Sequence, residues 1–128
     1  MDPSEFLQDG QVRIPGETYA VCRTEDGHPE AFATVRDESE TTVVVPEDAV
    51  DAIDAERVEP GWRRLTFEME LPFELVGFLA TVATTLADVD VSVFVLSSYS
   101  TDHVLVKDAD LETALSQLEA LGCTVVEP

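Results

Sequence analysis

Side chains able to do chemistry gather in one short stretch of the sequence, SSYSTDHVLV at residues 97–106. The stretch combines hydroxyl groups, a phenol, one carboxylate and one imidazole before it runs into apolar residues. Such a set is typical of a hydrolytic active site, of a cradle for a small ligand, or of an ordinary polar turn. The three interpretations differ in which of these side chains the surrounding helices and strands must bring together.

The hydrolytic interpretation depends on Ser100, Asp102 and His103, which supply the residue types of a hydrolytic triad. Neighbouring side chains on an extended segment point to opposite faces, so Asp102 could not easily orient His103. The second histidine, His28, lies in the turn EDGHPE, where an exposed side chain is expected. We therefore predict no catalytic residue and no enzyme.

Metal ligands and cofactors are not predicted either. The two histidines and the many carboxylates lack the H-E-x-x-H spacing or a related one. Cys22 and Cys123 lie far apart in probable strands, without a C-x-x-C spacing, and are expected to be small buried apolar side chains. We expect neither a metal site nor a cofactor.

The binding interpretation fits a free amino acid, which needs donors for its carboxylate and acceptors for its ammonium group. A helix is predicted to present free amides and a positive dipole end near residues 75–78, which would attract the carboxylate. Gly77 would let a ligand approach the backbone closely, and Asp102 would hold the ammonium group. The predicted ligand-binding residues are Glu74, Leu75, Val76, Gly77, Ser98, Tyr99, Thr101 and Asp102.

Each of these residues also has a purely structural interpretation. Gly77 would allow close helix–sheet packing, and Asp102 would cap a turn through its own backbone. Tyr99 would be a partly buried packing ring, and Glu74 would complement the dipole of a first helical turn. The serines, taken singly, would be ordinary turn polarity.

The C-terminal part of the sequence predicts the elements that must position these residues. WRRLTFEMEL alternates like a strand with one wet face, and PFELVGFLATVATTLADV reads as a helix with Pro72 in its first turn. DVSVFVLSS and HVLVK predict two strands, DADLETALSQLEALG a helix ended by Gly122, and CTVVE a last strand. The order βαββαβ is that of a ferredoxin-like α+β fold, with two helices on one face of a four-stranded antiparallel sheet.

At two places the predicted elements carry more apolar side chains than packing on a single face of a sheet would require. Leu75, Phe78 and Val82 lie beside the predicted buried stripe of the first helix and widen it. Phe94 and Leu96 make the following strand apolar on both sides. Either surface could contact a second subunit. The predicted stripe itself comprises Val76, Leu79, Ala80, Ala83, Leu86 and Ala87.

The N-terminal half carries fewer elements. TYAVCRT, AFATVR and TTVVVP predict three strands, and a short helix follows near EDAVDAI. The segment ERVEPG is predicted to join the halves. We therefore divide the chain into residues 1–60, an abbreviated half with strands and one short helix, and residues 61–128, a complete domain.

The balance of charge excludes several classes of partner. Asp and Glu number 27 against 7 Lys and Arg, which gives a formal net charge of −20. Such a field repels phosphate backbones and anionic lipid, so nucleic acid and membrane surfaces are not expected to bind. The acidic residues are spread over nearly every segment, which indicates a whole surface adapted to a salt-loving host.

The sequence also bears on location. It contains no run of about 20 apolar residues of the kind that spans a bilayer. Its first residues, MDPSEFLQDG, lack the basic start and apolar run of a signal peptide. The expected location is the cytoplasm.

Four segments in one order resemble the small ACT-domain proteins of the aspartate-kinase regulatory type, whose relatives include the cytosolic arginine sensors of animals. They are TTVVVPEDAV (41–50), GWRRLTFE (61–68), LPFELVGFLATVATTLAD (71–88) and VSVFVLSSYSTDHVLVKDADLETAL (91–115). The resemblance implies two ACT-like units, the first abbreviated, packed with their sheets side by side. It also implies binding of a small molecule, usually an amino acid, without chemistry.

Two functions remain open from the sequence. The first is a regulatory or sensor module that binds a free amino acid or similar small metabolite at an interface between ACT-like units. The alternative is a protein-interaction module of the same fold without a ligand, which would use the Phe94/Leu96 face or the Leu75/Phe78/Val82 rim. With either function, we expect a homodimer.

Overall fold

The computed structural model describes the whole chain, Met1–Pro128. It divides the chain into a terminal unit, made of Met1–Gly16 and Arg63–Pro128, and an inserted unit, Glu17–Trp62. The division predicted between residues 60 and 61 grouped residues 1–16 with the N-terminal half, whereas here they belong with the C-terminal part.

Eight strands and three α-helices form the two units. No helix reaches the length and apolar character that crossing a bilayer requires. The helices are α1 (Pro3–Leu7), α2 (Phe78–Ala87) and α3 (Leu111–Ala120), and two 3-10 helices span Glu47–Ala52 and Asp108–Asp110. The strands are β1 (Gln11–Arg13), β2 (Tyr19–Thr24), β3 (Ala33–Arg36), β4 (Thr41–Pro46), β5 (Ala55–Phe67), β6 (Val93–Ser97), β7 (Asp102–Lys107) and β8 (Thr124–Val126).

The strands of the terminal unit pair in the order β6-β7-β5-β1-β8. From β5 onward the elements follow the βαββαβ order, so the predicted ferredoxin-like α+β fold is confirmed. The prediction of four strands was wrong, because β1 lies between β5 and β8, antiparallel to the first and parallel to the second. Three residues are too few to show a period-two pattern in the sequence.

Helices α2 and α3 share one apolar core with the sheet of the terminal unit. Phe78 and Val82 of α2 are buried in it, and the ring of Phe78 meets that of Phe67 edge to face with centroids 5.1 Å apart. The predicted stripe of this helix was right for Leu86, which is buried in the core, and for Leu79, which packs against it. It was wrong for Val76, Ala80 and Ala87, which are exposed. Phe78 and Val82, two of the three residues predicted to form a second contact surface, therefore belong to the core face of the helix.

The inserted unit pairs its strands in the order β3-β4-β2-β5, using the first half of β5. The structure confirms the three predicted strands and has a 3-10 helix where a short helix was predicted. The segment ERVEPG was wrongly predicted to be a connection, because it lies within β5. Pro60 and Gly61 form a bulge there: the pairing with β2 skips both residues, and Gly61 has a φ of 85°.

Both cysteines are buried free thiols, Cys22 in the core of the inserted unit and Cys123 in that of the terminal unit. Burial raises the pKa of each thiol. A raised pKa keeps a thiol protonated and unreactive. Both residues thus have the surroundings of small apolar core residues.

Candidate functional site

A cleft of about 300 Å³ opens in the terminal unit between the start of α2 and the turn that joins β6 to β7. One wall consists of residues 71–73, 75 and 77–80, and the other of residues 97–102. The volume lies at the lower end of the range of roughly 300–1,000 Å³ found for ligand pockets. The cleft therefore suits a small metabolite.

Hydrogen bonds hold the two walls in place. The amide of Leu71 donates to the carbonyl of Ser100 at 2.7 Å, which ties one wall to the other. The hydroxyl of Thr101 donates to the carbonyl of Phe67, the last residue of β5, at 2.8 Å. Within the turn, the amide of Ser98 donates to the carbonyl of Thr101 at 2.9 Å. The turn is thus fixed to the end of β5 and to the segment that follows it.

The strand side of the cleft presents hydrogen-bond acceptors. Ser97 donates its hydroxyl hydrogen to Asp102 Oδ1 at 2.6 Å, and Ser98 donates to the carbonyl of Thr101 at 3.1 Å. The Thr101 hydroxyl also donates its hydrogen, to the carbonyl of Phe67. The hydroxyl oxygens of Ser97, Ser98 and Thr101 can therefore only accept hydrogen bonds from a ligand. Asp102 is the only carboxylate in the lining. Asp102 accepts its hydrogen bond from the side chain of Ser97. The interpretation that Asp102 caps a turn required a bond to the backbone of the turn, so it is wrong.

The helix side of the cleft presents donors. Helix α2 begins at Phe78, and its N-cap is Gly77, which has no side chain to cap it. The first helical bond runs from the Thr81 amide to the Gly77 carbonyl. The amides of Phe78, Leu79 and Ala80 therefore have no acceptor within the helix. This end of the helix carries a partial positive charge that favours an anion.

The predicted helix began too early. Residues 72–77 lie outside α2, and the amide of Leu75 closes a turn by donating to the carbonyl of Pro72 at 3.0 Å. Glu74 belongs to that turn, so the dipole interaction predicted for it is wrong. At Gly77 the φ of 91° favours glycine, because residues with a Cβ rarely adopt it. Close packing does not require glycine there, since a Cβ would meet only Pro3, at an ordinary 3.5 Å.

Most of the predicted ligand-binding residues come together in this cleft. Glu74 and Val76 are exceptions, because both are exposed and neither lines it. Leu71 and Phe73 also line the cleft but were not predicted from the sequence, because their place in the lining depends on the turn before α2. The predicted residues that line the cleft are Leu75, Gly77, Ser98, Tyr99, Thr101 and Asp102.

Two aromatic rings meet at the rim, one from each wall. Phe73 and Tyr99 pack edge to face with centroids 4.8 Å apart. The two residues nevertheless remain 73% and 81% exposed. The interpretation of Tyr99 as a partly buried packing ring is therefore wrong.

His103 lies on the opposite side of β7 from Asp102, because adjacent strand residues alternate. Thr66 Oγ1 is 2.9 Å from His103 Nδ1, and His103 Nε2 is 3.2 Å from Ser98 Oγ. Arg64 donates to Thr66, so a neutral His103 with its hydrogen on Nε2 satisfies the whole chain of bonds. Burial and the Arg64 charge lower the pKa of His103. The geometry is not that of a hydrolytic triad.

The comparisons with known proteins agree with this fold. Residues 57–120 match the family model described as ACT domain. No curated protein matches the sequence. Among solved structures, protein Atu0741 from Agrobacterium tumefaciens is 25% identical, with a TM-score of 0.78 over 94% of each chain.

Two further solved structures are similar to this chain. VC0802 from Vibrio cholerae, a protein of unknown function described as a possible transport protein, is 27% identical, with a TM-score of 0.70 over 93% of this chain and 94% of that one. The ligand-free regulatory subunit of aspartate kinase from Thermus thermophilus is 10% identical, with a TM-score of 0.66 over 88% of this chain and 95% of that one. At that identity the likeness shows the fold alone.

Proposed function

Because the chain belongs to the ACT domain family, we propose that it is a non-catalytic regulatory or sensor module that binds a free amino acid or a similar small metabolite. The observation that supports this proposal is the presence of two opposite polar ends in one cleft. Residues 78–80, whose amides have no acceptor within the helix, line it on one side, and Asp102 lines it on the other.

An amino acid would lie with its carboxylate against these amides and its ammonium group against Asp102. The helix end offers donors and a partial positive charge, which suits a carboxylate. The strand side offers acceptors and the only full negative charge in the lining. Charge-assisted hydrogen bonds are about twice as strong as neutral ones. A zwitterion would use both ends, whereas a ligand with one charge would use only one.

The ligand would regulate by favouring one arrangement of ACT-like units over another. Such an effect requires different affinities for the two arrangements. In this proposal the inserted unit is the abbreviated ACT-like unit, and the open side of the cleft faces another ACT-like unit in a cytoplasmic homodimer.

A thermal-shift panel tests the proposal. The protein would be melted in about 1 M KCl, where charge repulsion is screened, with each of the twenty amino acids and the common nucleotides. A ligand present at one hundred times its dissociation constant adds about 2.7 kcal/mol to the free energy of unfolding. A clear upward shift with at least one amino acid is expected. No shift with any compound would refute the proposed function.

A ligand-free interaction module is the second candidate. Phe94 and Leu96 are only half-buried, and they point away from the core that their neighbours Val93 and Val95 contact. This apolar face could pack against a partner, whereas the rim on α2 is already used by the core. A dimer that persists on dilution, together with no change in melting temperature for any compound of the thermal-shift panel, would favour this candidate.

A further inference from the structure

The lining of the cleft contains very little charge. Asp102 is its only ionised side chain, and no lysine, arginine or histidine lines it. If Asp102 holds the ammonium group, an acidic ligand side chain finds no counter-charge and a basic one must compete for the same carboxylate. Burying an unpaired charge is unfavourable. The net charge of −20 disfavours an acidic side chain further.

The side chains on the helix side of the cleft are apolar. Leu71, Leu75 and Leu79 line it while packing on the core of the terminal unit. All three are partly exposed, so apolar surface remains open to the cleft. An apolar ligand side chain would remove that surface from water, whereas a polar one would gain no partner there.

The rim adds two large rings. Phe73 and Tyr99 come from opposite walls and touch each other, yet both remain mostly exposed. Aromatic rings carry more apolar surface than other side chains and stabilise a complex strongly when a ligand covers them. Their edge-to-face contact also limits the number of side-chain rotamers that the two rings adopt without a ligand. This restriction lowers the conformational entropy that is lost on binding.

From this lining we infer that the ligand is a neutral amino acid with an apolar side chain, which lies between the three leucines and the Phe73–Tyr99 pair. The inference rests on the proposed function and specifies its ligand class. The two rings are specificity-determining residues, and Asp102 and the helix amides bind the groups that all amino acids share.

Isothermal titration calorimetry of the full chain in about 1 M KCl tests the ligand class. The probes are leucine, phenylalanine, alanine, glutamate and lysine. Leucine or phenylalanine should bind at least about tenfold more tightly than the other three. Equal or tighter binding of glutamate or lysine would overturn the inference and leave the proposed function standing. No binding by any of the five probes, together with no shift for any of the twenty amino acids in the thermal-shift panel, would overturn the proposed function itself, and this inference with it.

Single substitutions test the rings. Phe73→Ala and Tyr99→Ala should each weaken the binding of leucine or phenylalanine about tenfold and change that of alanine less than about twofold. Tyr99→Phe keeps the ring and should keep the affinity. Val76→Ala, which shortens an exposed apolar side chain outside the lining, is the matched control. Unchanged affinity in both ring variants would overturn the assignment, and the ligand panel on the unaltered protein decides the ligand class if a variant fails to fold.

Discussion

Ser97 donates a hydrogen bond of 2.6 Å to Asp102 across the last residue pair of the β6–β7 hairpin. This bond holds the carboxylate at the strand side of the cleft and leaves its other oxygen for a ligand. The pair is exposed, so its contribution to the stability of the fold is small.

Asp102→Asn should therefore separate binding from folding. Loss of the negative charge should weaken amino-acid binding by at least about tenfold, or 1.4 kcal/mol. The free energy of unfolding should change by less than about 1 kcal/mol. Calorimetry and urea unfolding measure the two effects. Glu74→Gln removes a nearby charge outside the lining and is the control. A variant that unfolds, or that binds as well as the original, would contradict this role for Asp102.

Gly77→Ala should destabilise the start of α2. The φ of 91° is costly for any residue with a Cβ, by roughly 1–2 kcal/mol. Urea unfolding should show a loss of that size, and ligand affinity should fall because the helix amides shift. Gly27→Ala is the matched control, because Gly27 has no positive φ and a Cβ there would meet only Thr34 at 3.8 Å. Equal stability of the two variants would argue against the strain.

The stability of the protein should fall on acidification through His103. Burial and Arg64 lower its pKa in the folded chain, although the charges of Asp102 and Glu68 oppose the shift. The unfolded chain, with an ordinary pKa of about 6.5, then takes up a proton more readily than the folded one. Stability present above about pH 6.5 is therefore lost as the pH falls toward and through the folded pKa.

Comparison with His103→Gln isolates this effect from the many carboxylates. Both proteins would be unfolded in urea at about pH 8 and at about pH 5.5. The original protein should lose more stability between the two than the variant does. An identical loss in both would show that His103 is not the group responsible.

Salt should stabilise the fold. With a formal net charge of −20, folding brings many carboxylates closer together. The Debye length shortens from about 30 Å at 0.01 M to about 3 Å at 1 M, so added KCl screens that repulsion. Melting temperatures should rise steeply over this range. A flat curve would count against adaptation to a salt-loving host.

Periodicity in the sequence was enough to predict the second half of β5, β6, β7, α2 and α3, because each has several turns or alternations. Strand β8 has only three residues and was predicted from the apolar run CTVVE that follows the glycine at the end of α3. It misplaced the start of α2 for a local reason. Pro72 carries the signal of a first helical turn, but the bond from the Leu71 amide to Ser100 holds this segment against the hairpin. The helix begins one residue after Gly77, whose φ of 91° lies in the left-handed region.

The candidate site was predicted in part for similar reasons. Asp102, Ser98 and Gly77 were identified because their chemistry can be recognised without coordinates. The pairing of Phe73 with Tyr99 could not be predicted, since it depends on how two distant loops approach each other. The β1 strand was missed because its partners lie far along the chain and its own pattern is too short.

The position of β1 dictates an order of events during synthesis. Gln11–Arg13 pairs with Thr124–Val126, so more than a hundred further residues must leave the ribosome after β1 before this part of the sheet can form. Strands β2 to β4 need only each other and the beginning of β5, all within a short stretch. Contacts close in sequence form with less loop-closure entropy. The nascent chain is thus expected to fold its inserted unit first, while β1 stays unpaired with β8 until β8 has been synthesised.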